Sequence, residues 1–476
     1  MSSYSGAPSR ARRKPHHHRN RQSGGPRPKA QPRQSALELA LDESAATTIA
    51  PRPFAELGLP SAVVARLAAQ GIESPTDVQN RTIPDALAGR DVLGRAQTGS
   101  GKTLAFGLPV ITRLAAQDRP AAKGHPRALI LAPTRELAQQ VADSVGSVAR
   151  TMGLSIIAIY GGAAMGPQTK ALQRGVDIVV ATPGRLEDHI RRGTCSLSRV
   201  DTFVIDEADH MADLGFLPAV TRIFEAIPAG AQRLLFSATL DRGIEKIARE
   251  HLTDPAFHAA AVGTPAAETM EHRAFTVAQE HKIDVAARVA ARHGRTLFFV
   301  RTKHGADRLA KQLQQRGIDS AAIHGNRNQS QRTRALADFA SGRRPVLVAT
   351  DVAARGIHVD GVDLVVHFDP PADHKDYLHR SGRTARAGRE GLVLSLLLQH
   401  EHSGHRRMHR NTASDHEAVH VHPDHADVVA VASGGTPIEY VPSSEPAPRR
   451  QPDNRNQSRR RDYRSYSGGR RSSGRG

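Results

Sequence analysis

The chain has 476 residues, 39% of them hydrophobic, and a formal net charge of +19, so it is long enough for two or three domains with buried cores. Its single cysteine, Cys195, excludes an internal disulfide and is typical of a reducing compartment. No apolar run approaches the ~18 residues of a membrane span, and the basic N-terminus lacks the apolar segment of a signal peptide. We therefore expect a cytoplasmic protein that does not bind membranes.

The positive charge is concentrated at the two ends of the chain. Residues 1–35 hold nine Lys or Arg and no acid, and residues 441–476 hold ten Arg and three acids. Basic ends on a nearly neutral middle indicate a polyanionic partner, most simply nucleic acid. The alternative is that these tails only keep the protein soluble.

In chain order, polar segments flank a patterned middle. Residues 1–50 and 401–476 are rich in Arg, Ser, Gly and His, and we predict a disordered basic arm and a disordered His/Arg-rich tail. Between them, short apolar runs alternate with amphipathic segments, the pattern of α/β domains with parallel sheets. We predict domains at 51–260 and 271–400, joined by a linker at 261–270 that has no periodicity. Strands are predicted at 128–132, 156–160, 177–181, 202–206 and 233–238, and then at 296–300, 345–350, 363–368 and 392–398.

A phosphate-binding loop is predicted where a strand (DVLGRA) passes through AQTGSG into a helix (KTLAFG). The glycines allow backbone N–H groups to point at phosphate oxygens at a helix N-terminus. Lys102 is expected to reach the β- and γ-phosphates and Thr103 to ligate Mg²⁺. Taken alone, with Ala96 where the generic pattern has Gly, the motif leaves a glycine turn without a ligand as an alternative. The predicted nucleotide contacts are Ala96, Gln97, Thr98, Gly99, Ser100, Gly101, Lys102 and Thr103.

A second element, the acidic stretch VIDEAD at 204–209, has the pattern of a buried strand that ends in carboxylates. Asp206 is expected to hold Mg²⁺, and Glu207 to orient and deprotonate a water for in-line attack on a phosphate. A solvated acidic turn is the alternative, but it would leave the Mg²⁺ expected at Thr103 without a second protein ligand. Together the two elements predict nucleoside triphosphate hydrolysis.

Over about residues 54–400 the chain resembles the DEAD-box RNA helicases, ATP-dependent RNA remodelling enzymes with two RecA-like domains. Besides AQTGSGKT and DEAD, it has the family's other motifs in their order: PTRELA (133–138), GG (161–162), TPGR (182–185), SAT (237–239), QRTR (331–334), ATDVAARGI (349–357) and HRSGRTARAG (379–388). The resemblance implies two tandem RecA-like α/β domains with parallel sheets, and the composition adds disordered basic tails on either side of them. It also implies an enzyme that binds single-stranded RNA without sequence preference and unwinds or remodels RNA duplexes and RNA–protein complexes.

The resemblance also implies that the nucleotide is ATP. Gln79 ends GIESPTDVQ and Phe54 lies 17 residues before Gly71; in the family this pairing selects adenine, by an amide that matches the base edge and a ring that stacks. Core packing of Phe54 and a surface role for Gln79 are the alternatives. Gly356 and His358 are the expected nucleotide contacts of the second domain. The family usually has Asp, a ribose contact, in place of His358, which leaves the ATP affinity open.

By the same resemblance, Arg383 and Arg386 stabilise the charge that develops on the γ-phosphate, and they act only when the domains close. An exposed basic helix is the alternative for this motif. Residues implied to couple hydrolysis to unwinding are Ser237, Thr239, His379 and Arg380. Residues implied to contact the RNA backbone, and its 2′-hydroxyls, are Arg135, Gly162, Thr182, Arg185, Arg334 and Thr350.

Eight histidines between positions 400 and 425 raise the hypothesis of a metal site. We favour a solvated, weakly pH-sensitive linker, because no thiolate is nearby and the segment reads as disordered.

Two other functions remain open from the sequence: a DNA translocase with the same core, and an RNA scaffold whose core only clamps RNA. The Phe54/Gln79 pair opposes the first, and intact Glu207, Arg383 and Arg386 oppose the second. Expected partners are RNA and, through the tails, ribonucleoprotein or RNA-decay proteins, and the chain is expected to be a monomer.

Overall fold

The computed structural model describes residues 35–97, 99–260, 270–354, 361–385, 390–409 and 417–434. Most of the predicted N-terminal arm, the linker at 261–269 and the tail from 435 onward lie outside the described residues. So do four predicted site residues: Thr98, Gly356, His358 and Arg386.

Within the described residues, the first domain has a seven-stranded sheet in the order β3-β4-β2-β5-β6-β1-β7, with every neighbouring pair parallel. Its strands are β1 (Val92–Arg95), β2 (Ala128–Leu131), β3 (Ile156–Ile159), β4 (Ile178–Ala181), β5 (Thr202–Ile205), β6 (Gln232–Ser237) and β7 (Ala256–Ala259). Its helices are α1 (Ala36–Ala46), a 3₁₀ turn (Phe54–Leu57), α2 (Ser61–Ala68), α3 (Asp77–Leu87), α4 (Lys102–Ala115), α5 (Arg135–Thr151), α6 (Met165–Arg174), α7 (Pro183–Arg191), α8 (Ala208–Asp213), α9 (Leu217–Glu225) and α10 (Arg242–His251).

The second domain repeats this architecture, with a described seven-stranded parallel sheet in the order β10-β11-β9-β12-β13-β8-β14. Its strands are β8 (Met270–Thr276), β9 (Arg295–Phe299), β10 (Ser320–Ile323), β11 (Val346–Ala349), β12 (Val362–His367), β13 (Gly391–Leu397) and β14 (Val419–His420). Its helices are α11 (Lys282–Ala290), α12 (Lys303–Gln314), α13 (Gln329–Ala340), α14 (Asp351–Ala354), α15 (His374–Ser381), a 3₁₀ turn (Gln399–Glu401), α16 (His402–His409) and α17 (Ala426–Ser433).

The central strands are mostly apolar because helices cover both faces of each sheet. β2, β4 and β5 are buried at every position, as expected for a parallel sheet enclosed on two sides. A separate hydrophobic cluster lies on each face of each sheet. The predicted α/β architecture is therefore confirmed.

Several of the motifs lie at one edge of each sheet, because they follow the carboxyl ends of strands. In the first domain AQTGSG follows β1, PTRELA follows β2 and DEAD follows β5. In the second, ATDVAARG follows β11. This edge is where open parallel sheets bind ligands.

The predicted boundary of the N-terminal arm was wrong. Ser35 begins α1 with a capping box: its hydroxyl accepts from the Glu38 backbone N–H (3.2 Å) and its N–H donates to the Glu38 carboxylate (3.0 Å). Leu41 is fully buried in the first domain, and Asp42 pairs with Arg95 at the end of β1. The helix escaped prediction because tertiary contacts, rather than a long apolar stripe, hold it.

The predicted start of the C-terminal tail was also wrong. β14 pairs in parallel with β8, and Val428 and Val431 of α17 are buried in the second core. The second domain therefore extends beyond residue 400, to at least Ser433. Among the described residues, no helix is both long and apolar enough to cross a membrane.

Candidate active site

The phosphate loop connects β1 to α4 and depends on its glycines. Gly99 and Gly101 have φ of +89° and +92°, a region that glycine tolerates and other residues rarely adopt. A Cβ on Gly101 would lie 2.5 Å from Nε2 of Gln79, so a larger residue has no room there. The buried Lys102 reaches back over the loop, and its ammonium donates to the Ala96 carbonyl at 2.8 Å. Loop, helix N-terminus and ammonium are thus arranged as a phosphate cradle.

The other loop residues complete this cradle. The Ser100 hydroxyl donates to the Gln97 carbonyl at 2.7 Å. Thr103 is half-buried in the first turn of α4, next to Lys102. Thr98 lies outside the described residues.

The two residues expected to select adenine are both buried, each 2% exposed. The Gln79 amide donates to the Gly101 carbonyl at 3.0 Å, and its oxygen accepts from the Thr76 N–H at 3.0 Å. Gln79 therefore braces the phosphate loop and is not a surface residue. Phe54 lies in the hydrophobic core of the first domain, so in this structure its ring packs instead of presenting an open face for stacking.

Asp206 lies at the end of β5 and is almost fully buried. Its Oδ1 has no hydrogen-bond partner among the described residues. Burial, with the adjacent Glu207 carboxylate, raises the pKa of Asp206 to about 7, and the Lys102 ammonium opposes that shift. A buried carboxylate oxygen without a donor fits a cation, and Thr103 supplies a hydroxyl of the kind that Mg²⁺ binds.

Glu207 occupies the N-terminal boundary of α8 in a left-handed conformation, with φ +51°. Burial by itself would raise its pKa. The hydrogen bond from His210 and the charges of Lys102 and Arg383 outweigh burial, so the pKa lies well below its ordinary value. Glu207 is therefore an ionised acceptor beside the phosphate loop.

Asp209 joins the DEAD and SAT motifs. Its Oδ2 accepts from the Thr239 N–H at 2.9 Å and from the Thr239 hydroxyl at 3.0 Å, while its own N–H donates to the Ser237 hydroxyl at 3.2 Å. The two motifs are therefore linked directly by hydrogen bonds. Ser237 and Thr239, whose coupling role stays a prediction, both contact Asp209, a residue that the sequence did not single out.

The second domain contributes arginines to the site. Arg383 is buried, close enough for its charge to act on Glu207, and its Nε donates to the His379 carbonyl at 3.2 Å. Arg380 forms a bidentate salt bridge with Asp351, with N···O distances of 2.6 and 2.8 Å. This salt bridge connects the motif HRSGRTARAG to the motif ATDVAARG. Arg386, the other arginine expected to stabilise the γ-phosphate, lies outside the described residues.

Three of the residues predicted to contact RNA converge in the first domain. Gly162 has φ +80°, and a Cβ there would lie 2.1 Å from Nη1 of Arg135. Arg185 donates to the carbonyl of Ala163, in the same loop, at 3.1 Å. Of the remaining candidates, Thr182 immediately precedes α7, Arg334 is exposed on α13 and Thr350 is half-buried after β11.

Contacts between the two domains involve residues that our sequence analysis had overlooked. Arg332 pairs with Glu136 at 2.8 Å, with side chains 11% and 9% exposed, and the Gln329 amide donates to the same carboxylate at 3.1 Å. Lys375 donates to Asp213 at 2.7 Å. Glu136 and Arg332 belong to the quoted motifs PTRELA and QRTR, but the sequence does not show that these motifs meet.

The prediction of a solvated segment for the C-terminal histidines is wrong for two of them, whereas His400, His420 and His422 are exposed and His416 lies outside the described residues. His405 and His409 of α16 are buried, with ring centroids 4.4 Å apart, and His409 packs edge-on to Tyr377 of α15 at 4.3 Å. Burial, with the charge of Arg380, holds the pKa of the neighbouring His367 well below its ordinary value. Within the part of the chain that the structure describes, no group of three or more His, Cys, Asp or Glu is arranged to hold a metal ion.

Comparison with known proteins identifies the family. Residues 76–247 match the family model described as DEAD/DEAH box helicase, and residues 281–388 match the helicase conserved C-terminal domain. The DEAD-box ATP-dependent RNA helicase CshA of Geobacillus kaustophilus is 38% identical over 350 residues, 73% of this chain and 74% of that protein. The chain belongs to the DEAD-box helicase family. This confirms the predicted family.

Other DEAD-box proteins support the same relationship. DEAD-box ATP-dependent RNA helicase 30 of Arabidopsis thaliana is 41% identical over 354 residues, which are 72% of this chain but 60% of that relative's length. Among solved structures, S. cerevisiae Dbp5 bound to RNA and ADP BeF3 is similar with a TM-score of 0.70 and 29% identity, over 80% of this chain and 98% of the other. The two described RecA-like domains thus match the fold that we predicted.

Proposed function

We propose that this protein is an ATP-dependent RNA helicase, an RNA-stimulated ATPase that locally unwinds RNA duplexes and remodels RNA–protein complexes. The observation that carries this proposal is the composite site. Arg332 of the second domain pairs with Glu136 of the first at 2.8 Å, Lys375 pairs with Asp213 at 2.7 Å, and the buried Arg383 lies where its charge lowers the pKa of Glu207. Hydrolysis at such a site depends on domain closure, so the ligand gripped by both domains controls ATP turnover.

The chemistry follows from the residues that line the site. Lys102 and the loop N–H groups bind the phosphates, Glu207 orients and deprotonates the attacking water, and Arg383 offsets the charge that develops on the γ-phosphate. Asp206 and Thr103 would hold Mg²⁺, which would supply Lewis-acid chemistry to the bound phosphates. The related CshA proteins, named as ATP-dependent RNA helicases, support ATP as the nucleotide.

RNA is proposed as the polymer. Arg135, Gly162 and Arg185 form a cluster in the first domain suited to the sugar–phosphate backbone, and such contacts carry little sequence information. The structural neighbour Dbp5 is described as bound to RNA, which supports the same choice. We also propose that the protein works as a cytoplasmic monomer and recruits ribonucleoprotein or RNA-decay partners through its basic tails.

The test is ATP turnover measured without polymer, with single-stranded RNA and with DNA of the same sequence. We expect RNA to raise turnover and DNA to leave it near the basal rate. Stimulation by DNA would favour a translocase. Absence of turnover in all three, with RNA binding intact, would favour a scaffold. The Lys102→Ala variant serves as the control for contaminating ATPase.

A further inference from the structure

His210, which the mechanism above does not use, forms a buried contact with the general base. Its Nδ1 lies 3.2 Å from Oε2 of Glu207, and the two side chains are 5% and 7% exposed. We propose that His210 is a positioning residue that orients the Glu207 carboxylate toward the attacking water. The proposal rests on the proposed ATPase function, and it assigns a role to a residue just outside the DEAD sequence.

The direction of the hydrogen bond follows from the two groups. An ionised carboxylate only accepts, so Nδ1 of His210 carries the hydrogen and donates to Glu207. Within the described residues, the other ring nitrogen, Nε2, is buried and has no hydrogen-bond partner. In that part of the chain, the ring therefore has one side-chain partner, and that partner is the general base.

The backbone explains why the base needs this support. Glu207 has φ +51° and ψ +56°, a left-handed conformation that a residue with a Cβ rarely adopts. It is followed at once by the first turn of α8, and this places His210, three residues later, on the same side of the helix. With Oε2 held by His210, the orientation of the carboxylate plane and of Oε1 is set before the substrate binds.

A positioning role has a kinetic signature. Misorientation of a general base slows the chemical step, while phosphate and polymer contacts made elsewhere keep their strength. His210 makes no described side-chain contact with the phosphate loop or with the Arg135–Gly162–Arg185 cluster. Loss of its donor should therefore lower kcat and leave KM for ATP and for RNA unchanged.

Two substitutions separate the donor from the bulk of the ring. His210→Asn keeps an N–H donor near the position of Nδ1, whereas His210→Leu has similar bulk and no donor. In the full chain we expect His210→Leu to reduce kcat about tenfold, the scale of one lost hydrogen bond. We expect His210→Asn to remain within about twofold of wild type.

A double-mutant cycle with Glu207→Gln covers the case in which His210→Leu disturbs folding. In the Glu207→Gln background the base is already absent, so adding His210→Leu should change the residual rate less than about twofold. Wild-type kcat in His210→Leu, equal losses in the Leu and Asn variants, or a further tenfold loss in the Glu207→Gln background would each overturn the proposal. These comparisons need ATP hydrolysis but not RNA stimulation, so failure of the RNA helicase function is seen separately, in the wild-type protein with and without RNA.

Discussion

Individual side chains in the site have separable roles because each makes a different contact. Lys102 spans the mouth of the phosphate loop, with its ammonium 2.8 Å from the Ala96 carbonyl. Glu207 is an ionised acceptor that follows β5, which β6 separates from β1 in the sheet. Removing the Lys102 ammonium should weaken binding of the nucleotide, and neutralising the Glu207 carboxylate should slow the chemical step alone.

We therefore expect Lys102→Ala to abolish productive ATP binding, and Glu207→Gln to bind ATP but to hydrolyse it at least about 100-fold more slowly, the contribution of a general base. Equilibrium binding of a fluorescent ATP analogue and single-turnover hydrolysis measure the two steps. Glu207→Gln should also retain RNA in a long-lived closed complex. Near wild-type hydrolysis by Glu207→Gln would show that another group is the base.

At the scale of elements, α1 is part of the first domain although it lies in a polar segment of the sequence. Leu41 is fully buried, whereas Leu39 on the same helix is 50% exposed. Arg81 of α3 donates to the carbonyls of Ser44 and Thr47, both at 2.8 Å, and so ties the C-terminal end of α1 to the helix that carries Gln79. α1 therefore contacts the same helix, α3, whose Gln79 bonds to the phosphate loop.

The two leucines provide a matched test of this docking. Leu41→Ala should lower the free energy of unfolding by about 2–4 kcal/mol, as for other buried leucines, or less if α1 detaches first. Leu39→Ala should change it by no more than about 0.5 kcal/mol. Thermal or urea unfolding of the full chain measures both. Equal effects of the two substitutions would mean that α1 does not dock.

Across the whole molecule, ion pairs between the domains contribute to closure. Lys375 of α15 lies 2.7 Å from Asp213 and 3.9 Å from Asp241, with its side chain 30% exposed. A pair this exposed contributes little to folding. Reversing its sign, however, places like charges at a boundary that must close for hydrolysis.

Lys375→Glu should therefore raise the RNA concentration needed for half-maximal ATPase about three- to tenfold, the equivalent of about 0.7–1.4 kcal/mol. Adding Asp213→Lys should restore part of that loss, because the attraction returns with reversed charges. Lys311→Glu, an exposed site on α12, makes the same change in net charge and is the control. If Lys311→Glu has the same effect, net charge and not closure is responsible.

We predict that the basic ends of the chain tether RNA and so raise the affinity of the whole protein for RNA. For single strands, log affinity falls with log salt by about 0.7 per neutralised phosphate. If about five tail cations engage, a chain of residues 35–434 should show a slope flatter by roughly 3 to 4 units. Its ATPase at saturating RNA should persist, because the described catalytic groups lie within it. RNA binding of both chains across a salt series measures the slopes, and indistinguishable slopes would assign the tails a solubilising role alone.

The sequence by itself determined the local geometry of the site. Gly99 and Gly101 allow the positive φ of the phosphate loop, continuous apolar runs specify strands buried on both faces, and Asp206 and Glu207 directly follow such a strand. Each of these features depends on neighbours within a few residues, so pattern and spacing are sufficient to predict it.

Only the tertiary structure decided which distant groups meet. Arg332 reaches Glu136, and Arg383 acts on Glu207, across separate domains. The same is true of burial: Phe54 packs in the core of the first domain, and Leu41 and His409 are buried although they lie in polar segments. The physical reason is that burial and ion pairing depend on three-dimensional proximity, which residues far apart in the chain acquire only when the sheets assemble and the domains come together.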